Sequence, residues 1–152
     1  MAKLLKIYDY KEPILRSKCR DIEHMESWVL DLASNMWETM LRSKAVGLAA
    51  NQVGFDYKMV TIKAPMFEGP MINPIIEEQS EEKYHTYEQC LSIPGYSFDT
   101  GKRSRAIKVR YFDLEGKLQI TWLKDETAVI VQHEIEHLHG IMFIDHMEPG
   151  MR

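Results

Sequence analysis

A chain of 152 residues with 45% hydrophobic and 28% charged residues has the size and balance of one globular domain, spanning 1–152, that can bury a sizeable core. Its formal net charge of −4 offers no electrostatic footprint for DNA, and no run of about 18 apolar residues is present to span a membrane as a helix. Two cysteines, Cys19 and Cys90, fit a reducing compartment better than a disulfide scaffold, and the Met1–Ile7 segment lacks the apolar length of a signal peptide, so a cytoplasmic protein is expected.

Ile7 to Asp21 carries Pro13 and scattered apolar residues, and reads as an extended arm lying on the body. From Ser27, a candidate N-cap, the pairs Trp28/Val29, Leu32/Ala33, Met36/Trp37 and Met40/Leu41 recur every four residues. This predicts a long N-terminal amphipathic helix with Asp31, Ser34, Asn35, Glu38 and Thr39 outside its apolar stripe. The small residues from Ala45 to Gly54 allow backbone to approach a ligand closely, and Gln52 offers an amide donor beside them. Met59–Lys63 reads as a strand, Pro65–Pro70 as a turn, and Met71–Ile76 as a second strand that Pro74 puts at an edge or a bulge. Glu77, Glu78, Glu81 and Glu82 then form an acidic turn. Ile107, Val109 and Tyr111 alternate, as do Leu118, Ile120 and Trp122, which predicts a hairpin with one buried face. Lys102, Arg103 and Arg105 precede it on a loop and read first as solvated charges, the alternative being that one of them meets Glu88 or a peptide carboxylate.

The stretch Gln132-His133-Glu134-Ile135-Glu136-His137-Leu138-His139-Gly140 carries the chemistry. On a helix, His133 and His137 stand one turn apart on one face, so their imidazoles converge on one metal ion with Glu134 beside it. Asp125, Glu126 and Thr127 supply acids and a capping hydroxyl at the start, Ala128–Val131 an apolar approach, and Gly140 a stop. A catalytic site of this type takes a third protein ligand and leaves a position for water. Phe143 stands where one protease pattern needs a third histidine, and little chain follows to supply another helix, so the third ligand comes from upstream. Cys90 is the first candidate and His85 the second. The architecture expected is α+β: antiparallel sheets around a central metal-binding helix, plus the long N-terminal helix.

Together, three stretches resemble the motifs of the peptide deformylase family: Ala45-Val46-Gly47-Leu48-Ala49-Ala50-Asn51-Gln52, Glu88-Gln89-Cys90-Leu91-Ser92, and Gln132 to Leu138. Their order and spacing also match, and Ile14-Leu15-Arg16, Ile72-Asn73-Pro74 and Ile93-Pro94-Gly95 resemble flanking pieces. The resemblance implies that Cys90, His133 and His137 hold one divalent metal, Fe(II) in the usual case, with Zn(II), Ni(II) or Co(II) as substitutes. It implies Glu134 as the base that activates water, with the Gln52 side chain and the Leu91 backbone N–H meeting the oxyanion. The implied substrate is an N-formylmethionyl peptide paired as a strand near Val46, Gly47 and Gln89. Its methionine would enter a pocket to which Val46, Leu91, Val129, Ile130 and His133 contribute, and the products are formate and a free N-terminus. Ala45 and Gln89 stand where the family has glycine, Glu126 where it has an apolar residue, and Glu136 where aspartate is common, so active enzyme with altered peptide preference is expected. A chain ending at Arg152 is also expected to lack the longer C-terminal helix of many relatives, leaving a monomer that meets the ribosome only transiently.

Overall fold

A computed structural model describes residues 2–148; the tail at 149–152, where no further helix is expected, lies outside the described residues. Helix α1 spans Ser27–Arg42 and helix α2 spans Asp125–His137. Five strands, β1 (Gly47–Ala49), β2 (Met59–Ala64), β3 (Phe67–Gln79), β4 (Ala106–Phe112) and β5 (Leu118–Lys124), form one antiparallel meander in sequence order. Short 3-10 turns at Pro13–Arg16, Ala50–Val53 and Phe143–His146 complete the chain. The α+β architecture read from the sequence stands, with the strands in a single sheet rather than several.

Alternation along the strands decides which helix covers which face. Met59 and Ile72 pair and pack with Val29, Met36 and Met40 of α1, whereas Val60 and Met71 pair and pack with Ala128, Val131 and Ile135 of α2. The two helices therefore sandwich the sheet. Thr39, expected on the outer side of α1, is buried because its hydroxyl donates to the Asn35 carbonyl and accepts the Leu5 N–H, tying the N-terminal arm to the helix. Helix α1 is capped by Glu26 rather than Ser27, without a side-chain cap bond.

The β2–β3 turn is Pro65-Met66 alone, and Pro70 lies within β3 opposite Thr61. Pro74 sits at a bulge, where the register shifts between Ile72 and Ile75 and Asn73 takes φ 52°. Asn73 uses that bulge to bond both the N–H and the carbonyl of Ile22. Glu77 and Glu78 belong to β3 rather than to a turn, and pair with Arg110 and Lys108 across the strand. In the hairpin, Ile107 and Val109 face inward opposite Leu123 and Thr121, but Leu118, Ile120 and Trp122 face outward. Helix α1 does not reach that half of its face, so those three stay about half exposed. Among the described residues no helix is long and apolar enough to cross a membrane.

Candidate metal centre

Helix α2 presents His133 and His137 one turn apart, and the loop before β4 brings Cys90 to them. The three ligand atoms lie within 4.8 Å of one another, the one such group among the described residues. Cys90 Sγ is 3.4 Å from His137 Nε2, and His133 Nδ1 is 2.9 Å from Glu88 Oε1, which turns His133 Nε2 toward the centre. A thiol sulfur with two imidazoles suits a borderline-soft divalent ion, and the buried Glu134 beside it keeps Oε1 without a protein partner. The donor set and the orphaned carboxylate oxygen fit a metal-dependent hydrolytic centre. His85, the second candidate ligand, is exposed and pairs with Asp99 instead.

The surrounding charges are arranged in depth. Arg103, buried on its loop, grips Glu88 with Nε and Nη2 at 2.8 Å each and reaches Glu136 with Nη1 at 2.7 Å. Burial alone would raise the Glu88 carboxyl, yet hydrogen bonds from His133 and Arg103 bring it down to about 2. Burial pushes the Glu134 carboxyl up to about 7 against the pull of His133 and Arg103. Two cations cannot share this pocket. Burial and the neighbouring His133 drive His137 well below its ordinary value, while His133, despite its own burial, is raised to about 10 by Glu134, Cys90 and Glu88.

Gln52 is aimed by its backbone surroundings. Its Oε1 accepts the Ala49 N–H at 2.9 Å, so Nε2 points to Ser92 Oγ at 3.1 Å and Cys90 Sγ at 3.4 Å. Gly47 has a different reason for being glycine than approach to a ligand: a Cβ there would lie 2.6 Å from Glu134 Oε2 and 2.9 Å from its Cγ. Ala45, where the resemblance has glycine, has no positive φ to accommodate; the left-handed residue is Lys44 at φ 58°.

Two adjoining cavities meet at Glu134. The larger, about 420 Å³, is lined by Gly47, Gln52, Gln89, Cys90 and Leu91, and the smaller, about 190 Å³, by Val129, Ile130, His133, Tyr87 and Glu126. Val46 and Gln89 line both. Leu91 thus belongs to the larger cavity rather than to the apolar pocket. Edge strand β1 borders them: Lys63 N–H bonds the Val46 carbonyl, so the N–H and C=O of Gly47 point to the open side of the sheet. Sequence reasoning missed Asn51, whose buried amide donates to the His137 carbonyl, and Phe143, whose ring packs 5.4 Å from that of His133. Their only sequence signal was position, one beside Gln52 and the other just past the metal helix.

The family model for polypeptide deformylase matches residues 4–152. A peptide deformylase of Cytophaga hutchinsonii is 35% identical over 149 residues, covering 93% of this chain and 80% of that protein, and one of Brucella suis is 39% identical over 145 residues, covering 90% and 80%. The crystal structure of the Thermotoga maritima peptide deformylase superposes with a TM-score of 0.92 at 31% identity, covering 97% of this chain and 99% of that one. A Met-Ala-Ser-bound peptide deformylase of Acinetobacter baumannii superposes with a TM-score of 0.89 at 31% identity, covering 97% and 100%. By motif order, by the Cys/His/His group and by these full-length matches, the chain belongs to the peptide deformylase family, enzymes that remove the formyl group from the N-formylmethionine of nascent peptides.

Proposed function

We propose that this chain, acting as one catalytic domain, deformylates N-formylmethionyl peptides with Glu134 as the proton-transfer group and Gln52 and the Leu91 N–H as oxyanion donors. The observation that carries this reading is the buried Glu134 carboxylate lining one cavity with Gln52 and Cys90 of the Cys90/His133/His137 group. We assign Fe(II) as the ion in the cell, with Zn(II), Ni(II) or Co(II) able to replace it. When bound, such an ion supplies Lewis acidity that makes water deprotonable near neutral pH. Glu134, buried with Oε1 free of protein partners, is placed to take a proton from water and to return it to the departing amine. Gln52 Nε2, its rotation set by Ala49, is fixed before charge develops on the formyl oxygen, so it stabilises that charge without reorganising.

The open N–H and C=O of Gly47 suit an extended peptide that adds to β1, with Gln89 on the opposite wall. The methionine side chain then occupies the smaller cavity against Val46, Val129 and Ile130. We attribute the selection of formyl over acetyl to size, since a formyl group is smaller by one methyl. We place the reaction in the cytoplasm, on a monomer that meets the ribosome transiently and binds neither DNA nor membrane. The test is formate release from formyl-Met-Ala-Ser by protein loaded anaerobically with Fe(II), or in air with Ni(II). The parent is expected to release formate, to leave acetyl-Met-Ala-Ser untouched, and to lose at least about a hundredfold in rate as Glu134→Ala. Absence of formate from folded, metal-loaded parent protein would overturn the proposal.

A further inference from the structure

His133 is addressed from two sides by the segment that follows α2. Phe143 lies against its ring, tilted by 35°, and the polar side is reached through a continuous chain of short contacts that starts at His146, on the same 3-10 turn. His146 Nε2 lies 2.9 Å and 3.1 Å from the two oxygens of Glu136; Glu136 Oε1 is 2.7 Å from Arg103 Nη1; Arg103 closes on Glu88, and Glu88 Oε1 is 2.9 Å from His133 Nδ1. Arg103, Glu88 and His133 are buried, while the side chains of His146 and Glu136 are 22% and 24% exposed. The turn itself is anchored separately, by a two-pronged ion pair from Arg16 to Asp145 at 2.7 and 3.0 Å. His146 is therefore not needed to hold the segment in place.

We infer that His146 is a positioning residue for the metal ligand His133, acting through Glu136, Arg103 and Glu88. The physical reason is that Arg103 serves two acids. With Glu136 held by His146, the guanidinium has a fixed second partner and can present both Nε and Nη2 to Glu88 in one plane. Glu88 is then held in the orientation that accepts His133 Nδ1–H and keeps Nε2 on the ion. Without the His146 donor, Glu136, already partly exposed to water, is held by Arg103 alone, and the Arg103 fork loses the fixed position of its second acid. The glutamate at 136 matters here because its longer side chain spans from α2 to both Arg103 and His146 at once.

The experiment uses Co(II) binding, and rests on Cys90, His133 and His137 being the ligands. One equivalent of Co(II) bound to the parent, with a sulfur-to-cobalt absorption band, tests those ligands; comparison of His146 variants with the parent tests the inference. His146→Leu keeps the bulk and removes the donor, and is expected to weaken Co(II) binding about threefold to tenfold and to shift the visible bands of the bound ion. His146→Gln restores an N–H donor to Glu136 and is expected to recover most of both. In turnover of formyl-Met-Ala-Ser, the Leu variant should lose kcat with KM little changed. Parental affinity and spectrum in folded His146→Leu, or equal losses in the Leu and Gln variants, would overturn the inference and leave His146 a residue of the tail alone. A parent that binds no Co(II) would overturn the ligand assignment itself, and the inference with it.

Discussion

At residue scale, the site stores an unfavourable charge. Glu134 has an ordinary carboxyl value of 4.5 and is pushed to about 7 first by its burial. Between those values the folded state holds a proton that the unfolded state has lost, so stability contributed by this group falls as pH rises from 4.5 to 7 and stays low above. In metal-free protein, Glu134→Gln should raise unfolding stability by about 1–3 kcal/mol at pH 8 and by almost nothing at pH 4. Denaturant melts at the two values read the difference, and a gain independent of pH would refute the electrostatic account. The identity of the ligand group was legible in the sequence because a metal site needs particular atoms: Cys90, His133 and His137 come together as the motifs place them. The reason for Gly47 was not. Its missing Cβ answers to a side chain on α2, and nothing local to Gly47 encodes that.

At element scale, periodicity specified which segments form helices and strands but not which face of β5 is inward. Leu118, Ile120 and Trp122 alternate as a buried strand should, yet the inward residues are Gln119, Thr121 and Leu123. Register is imposed by β4, whose Ile107 and Val109 must meet α2, and that pairing sends the apolar alternation of β5 outward. Two substitutions separate the faces. Trp122→Thr should change stability by less than about 0.5 kcal/mol, whereas Leu123→Ala should cost about 2–4 kcal/mol, both read by chemical denaturation. Near-equal losses would mean that the outer face is covered in solution. The start of α2 shows the same limit: Thr127, expected as a capping hydroxyl, accepts the Met66 N–H from the β2–β3 turn. Its end was legible, since Gly140 at φ 76° closes the helix with Gly140 N–H on the His137 carbonyl and Ile141 N–H on that of Glu136.

At the scale of the whole molecule, the N-terminal arm and the end of the metal helix are locked together. The Cys19 N–H bonds the Leu138 carbonyl, Arg16 bonds Gly140 and Asp145, and a Cβ on Gly140 would lie 2.6 Å from the Arg16 carbonyl oxygen. Gly140→Ala therefore meets both a left-handed backbone and a neighbour that cannot yield cheaply, and should cost about 2–3 kcal/mol in unfolding free energy. A cost under about 1 kcal/mol would show that the arm moves aside freely. This docking was invisible in sequence, where the arm read only as an extended stretch lying somewhere on the body; contact between residues more than a hundred positions apart leaves no local pattern.

That lock also has a consequence in time. Chains are made from the N-terminus, so the arm, Gln52 and Cys90 all leave the ribosome before α2 exists to receive them. The thiol of Cys90 and the amide of Gln52 wait as unconnected pieces of an unfinished sheet, and the centre comes into being in one late event, when the helix and the segment behind it arrive and close on the arm. An incomplete copy is thus no partial enzyme but an inert one.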